Sequence, residues 1–450
     1  MFEEFINEIA SIVQSTEQRR ERSETDKVSF RYAIEYLLKD LWKASQCIPI
    51  RECSIHLGRD HYSKSRRYSD TKLNYRQIKA AFDGLLNARL IEVTKKGYYD
   101  RIRMEGSLTR FLPRDELFDR LHNLEGHPAI TLKKSSDFEA ILLRDRIDGH
   151  RELIEYDDTA QSEKYRSNLQ TINKCFTRHW ADLKIKDAEV STLTERLQLS
   201  EDKEPIDLSS RTLVRIFSNG SFKEGGRFYR GWWQNVPSEY RKHITLDAKK
   251  TAEYDFSQLN PHMIYFAYNK ELGSEDAYDR VLDGEHRDIV KQAFNAMIQA
   301  NGPLNQKPRD INLDDLEMNW KDLRQRILDA HKPIQHLFFD GLGNKLQFED
   351  SCIAESVMLH FQKMDAPALP VHDSFIMYHA YGGELEEAMR GGFHERFGSD
   401  IPVKSEIIIE KPSLPYEEQP DNLSVEEILK GDVEYSQWQD RDRMWWANKK

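Results

Sequence analysis

The sequence predicts an α+β protein of several units, and three observations carry that prediction. Residues 30–43 (FRYAIEYLLKDLWK) and 75–90 (YRQIKAAFDGLLNARL) place apolar side chains at helical spacing, and short β-prone runs follow them. Residues 127–205 are polar and read as mostly helical, with DFEAILLRDRI and SNLQTINKCFTRHWADL as the clearest runs. From about residue 211 glycine, aromatics and short β-like runs become dense and persist to about residue 412. The expected division is residues 1–126, 127–205, 206–412 and an acidic tail, 413–450, a plausible count of units for 450 residues.

Composition narrows the class. With 39% hydrophobic residues, including 8 Trp, 19 Tyr and 21 Phe, the chain has enough bulky apolar surface for folded cores, which rules out wholesale disorder. No run approaches the roughly 18 apolar residues of a membrane span. The first thirty residues are charged throughout and lack a signal-peptide core, so a cytoplasmic location with no membrane partner is expected. The four cysteines, Cys47, Cys53, Cys175 and Cys352, read as too few and too scattered for a disulfide framework or a zinc site.

Charge is unevenly spread. The formal net charge is −11, yet residues 51–110 hold 14 Lys/Arg against 7 Asp/Glu, which leaves a net −18 for the remainder. Phosphate attraction is local and screened beyond about 10 Å, so this basic island is more informative than the total.

The island coincides with the second amphipathic helix, whose stripe is Ile78, Phe82, Leu85 and Leu86 and whose N-cap is Asn74. IEVTKKGYYDRIRM follows, read as two short strands about a Lys-Lys-Gly turn. Helices followed by a basic hairpin read as a winged helix, in which the second helix enters the major groove and the wing contacts phosphates. Arg76, Lys79, Lys95, Lys96, Arg101 and Arg103 are the candidate DNA contacts. The competing reading is a winged helix that docks protein. At the far end of the chain, Trp438, Trp445 and Trp446 suggest a tail that docks, because exposed tryptophans are costly.

Three segments carry potential chemistry. In residues 251–266 (TAEYDFSQLNPHMIYF) a strand over 252–257 puts Glu253, Asp255 and Ser257 on one face, and Pro261 suits the first turn of a helix. In residues 287–299 (RDIVKQAFNAMIQ) Arg287, Lys291, Asn295 and Gln299 share one helix face, opposite Ile289, Val290, Phe294, Met297 and Ile298. Such a row suits a polyphosphate, with Arg gripping it bidentately and Lys acting as a mobile charge. In residues 368–377 (ALPVHDSFIM) apolar runs flank His372-Asp373-Ser374, as in a hairpin presenting an acid at its tip. A cation would offset the cost of placing that charge among apolar strands.

In this order the segments resemble the palm of family-A DNA polymerases and of the single-subunit RNA polymerases of phage and mitochondria. YDFSQL resembles their first palm motif, RDIVKQAFN their fingers helix with its Arg-x3-Lys pattern, and VHDSF their last palm motif. GGRFYRGWW, residues 225–233, resembles the Gly-Arg-Val-Tyr stretch that precedes the palm in the RNA polymerases. The resemblance covers about residues 210–405. It implies an antiparallel palm sheet carrying both acids, helices behind it, reduced fingers, and a thumb-like role for the helices before residue 205.

The resemblance further implies that Asp255 and Asp373 hold two Mg²⁺ ions, with Mn²⁺ as a substitute, and that Arg287, Lys291, Asn295, Gln299 and Asn260 meet the incoming nucleoside triphosphate. His372 would orient Asp373 or touch the primer end. Arg227 and Tyr229 would contact template or primer. Two departures stand out: Gln299 replaces the fingers tyrosine, and Asn260 replaces the glutamate that excludes a ribose 2′-hydroxyl, which leaves sugar choice open. The implied activity is a template-directed DNA polymerase with an appended DNA-binding module, of the kind that replicates a mobile element. The alternatives are a single-subunit RNA polymerase or primase-like enzyme and, in another class, a non-catalytic DNA-binding replication initiator.

Overall fold

The computed structural model describes residues 2–16, 22–45, 50–63, 67–68, 73–100, 105–122, 124, 139–147, 149–198, 206–314, 316–406 and 433–449. The protein is α+β, and among the described residues the sheets are antiparallel apart from one parallel pairing. Among the described residues no helix is long and apolar enough to cross a membrane.

The N-terminal elements run α1 (Phe2–Ser15), α2 (Glu24–Ser45), β1 (Cys53–Ile55), α3 (Arg59–Ser63), α4 (Tyr75–Asn87), β2 (Ile91–Lys95), β3 (Tyr98–Asp100), β4 (Glu105–Ser107), β5 (Thr109–Pro113) and α5 (Asp115–His122). Asn74 caps α4, its side chain accepting from Gln77 N at 3.0 Å. Ile78, Ala81, Phe82 and Leu85 are buried in the core that α4 shares with Ile34, Leu37, Leu38 and Leu41 of α2. Leu86, expected on the same stripe, is 37% exposed, because one further 100° step carries it off the buried face.

The expected Lys-Lys-Gly turn is a kink instead. β2 pairs with β5 and β3 pairs with β4, with Asp100 opposite Glu105. A Cβ on Gly97 would stand 2.6 Å from Thr109 N, so the two strands of this ribbon cross too closely there for any other residue. β1 completes a three-stranded sheet of order β1-β5-β2.

The next elements are β6 (Ile141–Ile147), β7 (His150–Leu153), α6 (Ala160–Arg178), β8 (Ala181–Leu183) and α7 (Asp187–Gln198). The helical expectation for DFEAILLRDRI is overturned: it forms strand β6. Ile141, Leu142 and Leu143 are all buried, and a continuous apolar run of this length suits a strand covered on both faces. α6 forms as expected, opened by a Thr159–Ser162 capping box.

Then follow β9 (Val214–Ser218), β10 (Ser221–Tyr229), the one-turn α8 (Ser238–Arg241), β11 (Ile244–Leu246), β12 (Lys249–Phe256), α9 (Leu259–Ala267), α10 (Arg287–Gln299), α11 (Trp320–Ala330), α12 (Gly343–Lys363), β13 (Leu369–Val371), β14 (Ser374–Tyr378), α13 (Gly382–Phe397), β15 (Val403–Glu406) and α14 (Ser436–Lys449). β6 pairs in parallel with β9 in a sheet of order β10-β9-β6-β7, so β6 and β7 share one sheet with β9 and β10 of the following segment. In the six-stranded sheet β12 is central, flanked by β14 on one side and by β11 and β15 on the other. Ala252, Tyr254 and Phe256 alternate into the core beneath α13, where a Cβ on Gly382 would overlap the Tyr254 hydroxyl.

Arg215, fully buried on β9, pins the four-stranded sheet to α12. Its guanidinium reaches Glu355 at 2.9 Å and Ser351 Oγ at 3.0 Å and donates to Gly226 O at 2.8 Å. The chain does close with a docked helix: Trp445 is buried and stacks on Trp180 at 5.5 Å, and Arg441 pairs with the buried Asp182 at 2.9 Å. Trp446 stays 42% exposed.

Candidate active site

Strand register brings the two acids together. Asp255, next to last in β12, lies opposite Ser374, and Asp373 is the residue before Ser374 in the two-residue turn of the β13–β14 hairpin. Opposed Cα atoms in an antiparallel pair lie about 4.5–5.5 Å apart and consecutive ones about 3.8 Å, so the Asp255 and Asp373 Cα atoms are within about 9 Å. His372, the other turn residue, has φ +57° and is exposed. Such a left-handed residue is what a tight two-residue reversal requires.

The hairpin is buttressed from the GGRFYRGWW segment. Trp233 Nε1 and Gln234 Nε2 both donate to Pro370 O, at 3.0 and 3.1 Å. Gly226, at φ +78°, lets β10 pass under this region: a Cβ there would stand 2.9 Å from both the Phe217 ring and Ser351 Oγ.

Beside Asp373 lies an ion pair that the sequence reading did not anticipate. Arg227 Nε reaches Asp350 Oδ2 at 2.6 Å, and the Asp350 side chain is 3% exposed. Burial, with a contribution from the Asp373 charge, raises the Asp350 pKa to about 6, against the pull of Arg227. Arg227 stays charged despite its own burial, because Asp350 and Asp373 both favour the guanidinium. Arg227, expected at the template or primer, has its Nε engaged by Asp350 and its side chain 22% exposed. Tyr229, two residues on, is half-buried at the end of β10.

The helix bearing the basic and amide residues lies next to the acids. Tyr278 is buried, and its hydroxyl is raised above its ordinary pKa first by burial and then by Asp373, Asp276 and Asp255, so it senses both acids. The Arg287 guanidinium lies 5.2 Å from the centre of the Tyr278 ring. Asp276 holds Arg287 at 2.8 Å, with Asp279 at 3.5 Å. Gln258 ties this loop to the end of β12, its side-chain oxygen accepting from Ala277 N at 2.5 Å.

Lys291 and Gln299 are exposed on the same face of α10. Asn295, expected at the nucleotide, accepts from Asn260 Nδ2 at 2.9 Å, so these two amides satisfy each other and join α9 to α10. The chain matches no protein-family model and no curated protein.

Asp255 and Asp373, both half-buried, offer only oxygen donors. That donor set fits Mg²⁺, which takes one or two carboxylates and keeps several waters. In the N-terminal elements Arg76, Lys95 and Lys96 are exposed, whereas Lys79 is paired with Asp83 on its own helix. Arg101 and Arg103 lie outside the described residues.

Sequence reasoning missed Asp350, Asp276 and Tyr278. For Asp350 a signal existed: it occupies the stripe Leu346, Asp350, Ile353, Ala354, Val357, where an acid at a core position of an amphipathic helix calls for a partner. Asp276 and Tyr278 lie in an irregular loop with no periodicity to mark them.

Proposed function

We propose that this protein is a template-directed nucleotidyltransferase, most consistent with a DNA polymerase, whose site is the Asp255–Asp373 pair facing the Arg287–Lys291 helix. One observation carries the reading: β12–β14 pairing sets Asp255 of β12 beside Asp373 of the turn before β14, 118 positions apart in sequence, near a cationic helix face. In this reading Asp255 and Asp373 hold two Mg²⁺ ions. Such ions, when bound, activate a 3′-hydroxyl and stabilise the pyrophosphate leaving group.

The chain's own residues then have separable tasks. Arg287 stands at the N-terminal end of α10, where the helix dipole also favours anions, and binds the outer phosphates after exchanging its hold on Asp276 or Asp279. Lys291, exposed and one turn along, meets the leaving pyrophosphate. Arg227 and Asp350 position Asp373 from beneath. His372 stands exposed at the hairpin tip, where a primer end can reach it.

The N-terminal helices and the β2–β5 ribbon act in this reading as a winged helix that holds DNA. Arg76 on α4 and Lys95 and Lys96 at the ribbon kink are its contacts.

The test is incorporation of labelled dNTPs and NTPs on a primed template, with and without Mg²⁺. Metal-dependent incorporation by the wild type is expected, with losses of about 100-fold or more in Asp255→Asn and Asp373→Asn. Near-normal incorporation in either variant overturns the assignment, and a preference for NTPs moves it to RNA synthesis.

A further inference from the structure

At the other end of β12 from Asp255 a second cluster gathers. Cys175 and His179 are four residues apart at the end of α6, so they share a helix face. Asp365, at φ +51°, lies in the loop between α12 and β13. One ligand atom from each lies within 4.8 Å of the others. We infer that Cys175, His179 and Asp365 form a binding site for a zinc-class divalent ion, with water in the fourth position.

The ligand chemistry selects the metal. A buried thiol and an imidazole suit zinc and not magnesium, and a Cys-x3-His chelate leaves both side chains on one side of the helix end. His179 is already oriented for this role. Its Nδ1 lies 2.6 Å from Asp247 Oδ2, which leaves Nε2 as the metal-facing atom. Nε2 is buried, finds no well-aligned hydrogen-bond partner, and stands 3.4 Å from Asp365 Oδ1, with Cys175 on the same side.

Asp247 is itself held, accepting from Trp180 N and from the Tyr378 hydroxyl, both at 2.9 Å. A carboxylate on the far nitrogen of a histidine is the usual outer support of a zinc ligand, fixing its tautomer and raising its basicity. The charges also match, since a thiolate and a carboxylate neutralise a dication, with Arg178 sharing Asp365 at 2.9 Å. The inference departs from the expectation that the cysteines are too scattered for zinc: it uses only one of them, with the other ligands supplied by folding.

Position indicates what the ion does. Asp247 occupies the two-residue turn between β11 and β12, and Tyr378 ends β14. The ion would therefore staple α6 and the α12–β13 loop to the base of the two strands that carry Asp255 and Asp373. The inference does not depend on the proposed nucleotidyl transfer.

The full chain, purified without chelators, should contain one equivalent of zinc by elemental mass spectrometry. After metal removal, Co²⁺ should restore one equivalent and give a thiolate-to-cobalt charge-transfer band. That band should vanish in Cys175→Ser and persist in Cys352→Ser, whose thiol lies outside the cluster. Asp247→Asn should weaken zinc binding by about 10–100-fold. Should Cys175→Ser fail to fold, Asp365→Asn decides, because that side chain is 60% exposed and its change should spare the fold while weakening the site. A zinc-free chain with colourless Co²⁺ mixtures, or wild-type affinity in Asp365→Asn, overturns the site and leaves a protonated imidazole bridging Asp247 and Cys175.

Discussion

Arg227 and Asp350 form a 2.6 Å ion pair whose acid is 3% exposed and whose base also feels Asp373. Removing one partner of a buried pair leaves an uncompensated charge, at a cost of about 3–5 kcal/mol. Arg227→Met should therefore destabilise the protein, by up to about that amount, in urea unfolding at pH 8, less where Asp350 can take a proton instead of staying charged. The double variant Arg227→Met/Asp350→Leu should recover most of the loss. Equal destabilisation of the single and double variants would show that the pairing itself contributes little.

Arg287 and Lys291 share a face of α10 but differ in engagement, since Asp276 and Asp279 hold Arg287 and Lys291 is exposed. On the proposed nucleotidyl transfer, steady-state incorporation should separate them. Arg287→Ala should raise the KM for nucleotide by about tenfold, through loss of binding to the outer phosphates. Lys291→Ala should instead lower kcat with little change in KM, having lost a contact that strengthens as pyrophosphate leaves. The reverse pattern would exchange the two assignments.

Gly226→Ala should destabilise the fold by about 1–3 kcal/mol, because a Cβ has no room there and the backbone is left-handed. The new methyl would stand 2.9 Å from both the Phe217 ring and Ser351 Oγ, at φ +78°. Gly149→Ala is the control, sharing the positive φ, +84°, with nothing within 4 Å. A thermal-denaturation comparison that finds the two equal would reduce the Gly226 effect to backbone strain.

His331 supplies a stability window in acid. It is fully buried and shares a 3.0 Å hydrogen bond with the Tyr265 hydroxyl. Burial, aided by the Arg280 charge, depresses its pKa from 6.5 to about 4. Between these values the unfolded chain binds a proton that the folded chain does not, so stability falls as pH drops from about 6.5 to about 4, by about 3 kcal/mol. Above 6.5 the contribution is complete. A His331→Gln variant should lose that segment of the pH profile in chemical unfolding, and an unchanged profile would assign the acid sensitivity elsewhere.

Lys95 and Lys96 are exposed at the ribbon kink. In a winged-helix reading each contributes about one phosphate contact, so Lys95→Gln/Lys96→Gln should lower the slope of log K against log salt by about two. Duplex binding measured across salt concentrations tests this, and an unchanged slope would remove the ribbon from the interface.

The sequence by itself determined the local elements and the chemistry they carry. The helix 287–299, its polar face, the Asn74 cap and the hairpin around His372-Asp373 are legible because periodicity, capping and turn chemistry act over a few residues. The tertiary structure decided everything that depends on distant partners. β6 is a strand because β9 and β7 cover it on both sides, the ribbon extends past Lys96 because β4 and β5 lie opposite, and Asn260 meets Asn295 because α9 lands on α10. The convergence of Asp255 with Asp373, the burial of Asp350 against Arg227 and the gathering of Cys175, His179 and Asp365 have the same origin. A chain can write a side chain's chemistry locally, but burial and proximity, which set its charge state and its partners, exist only once remote segments share one core.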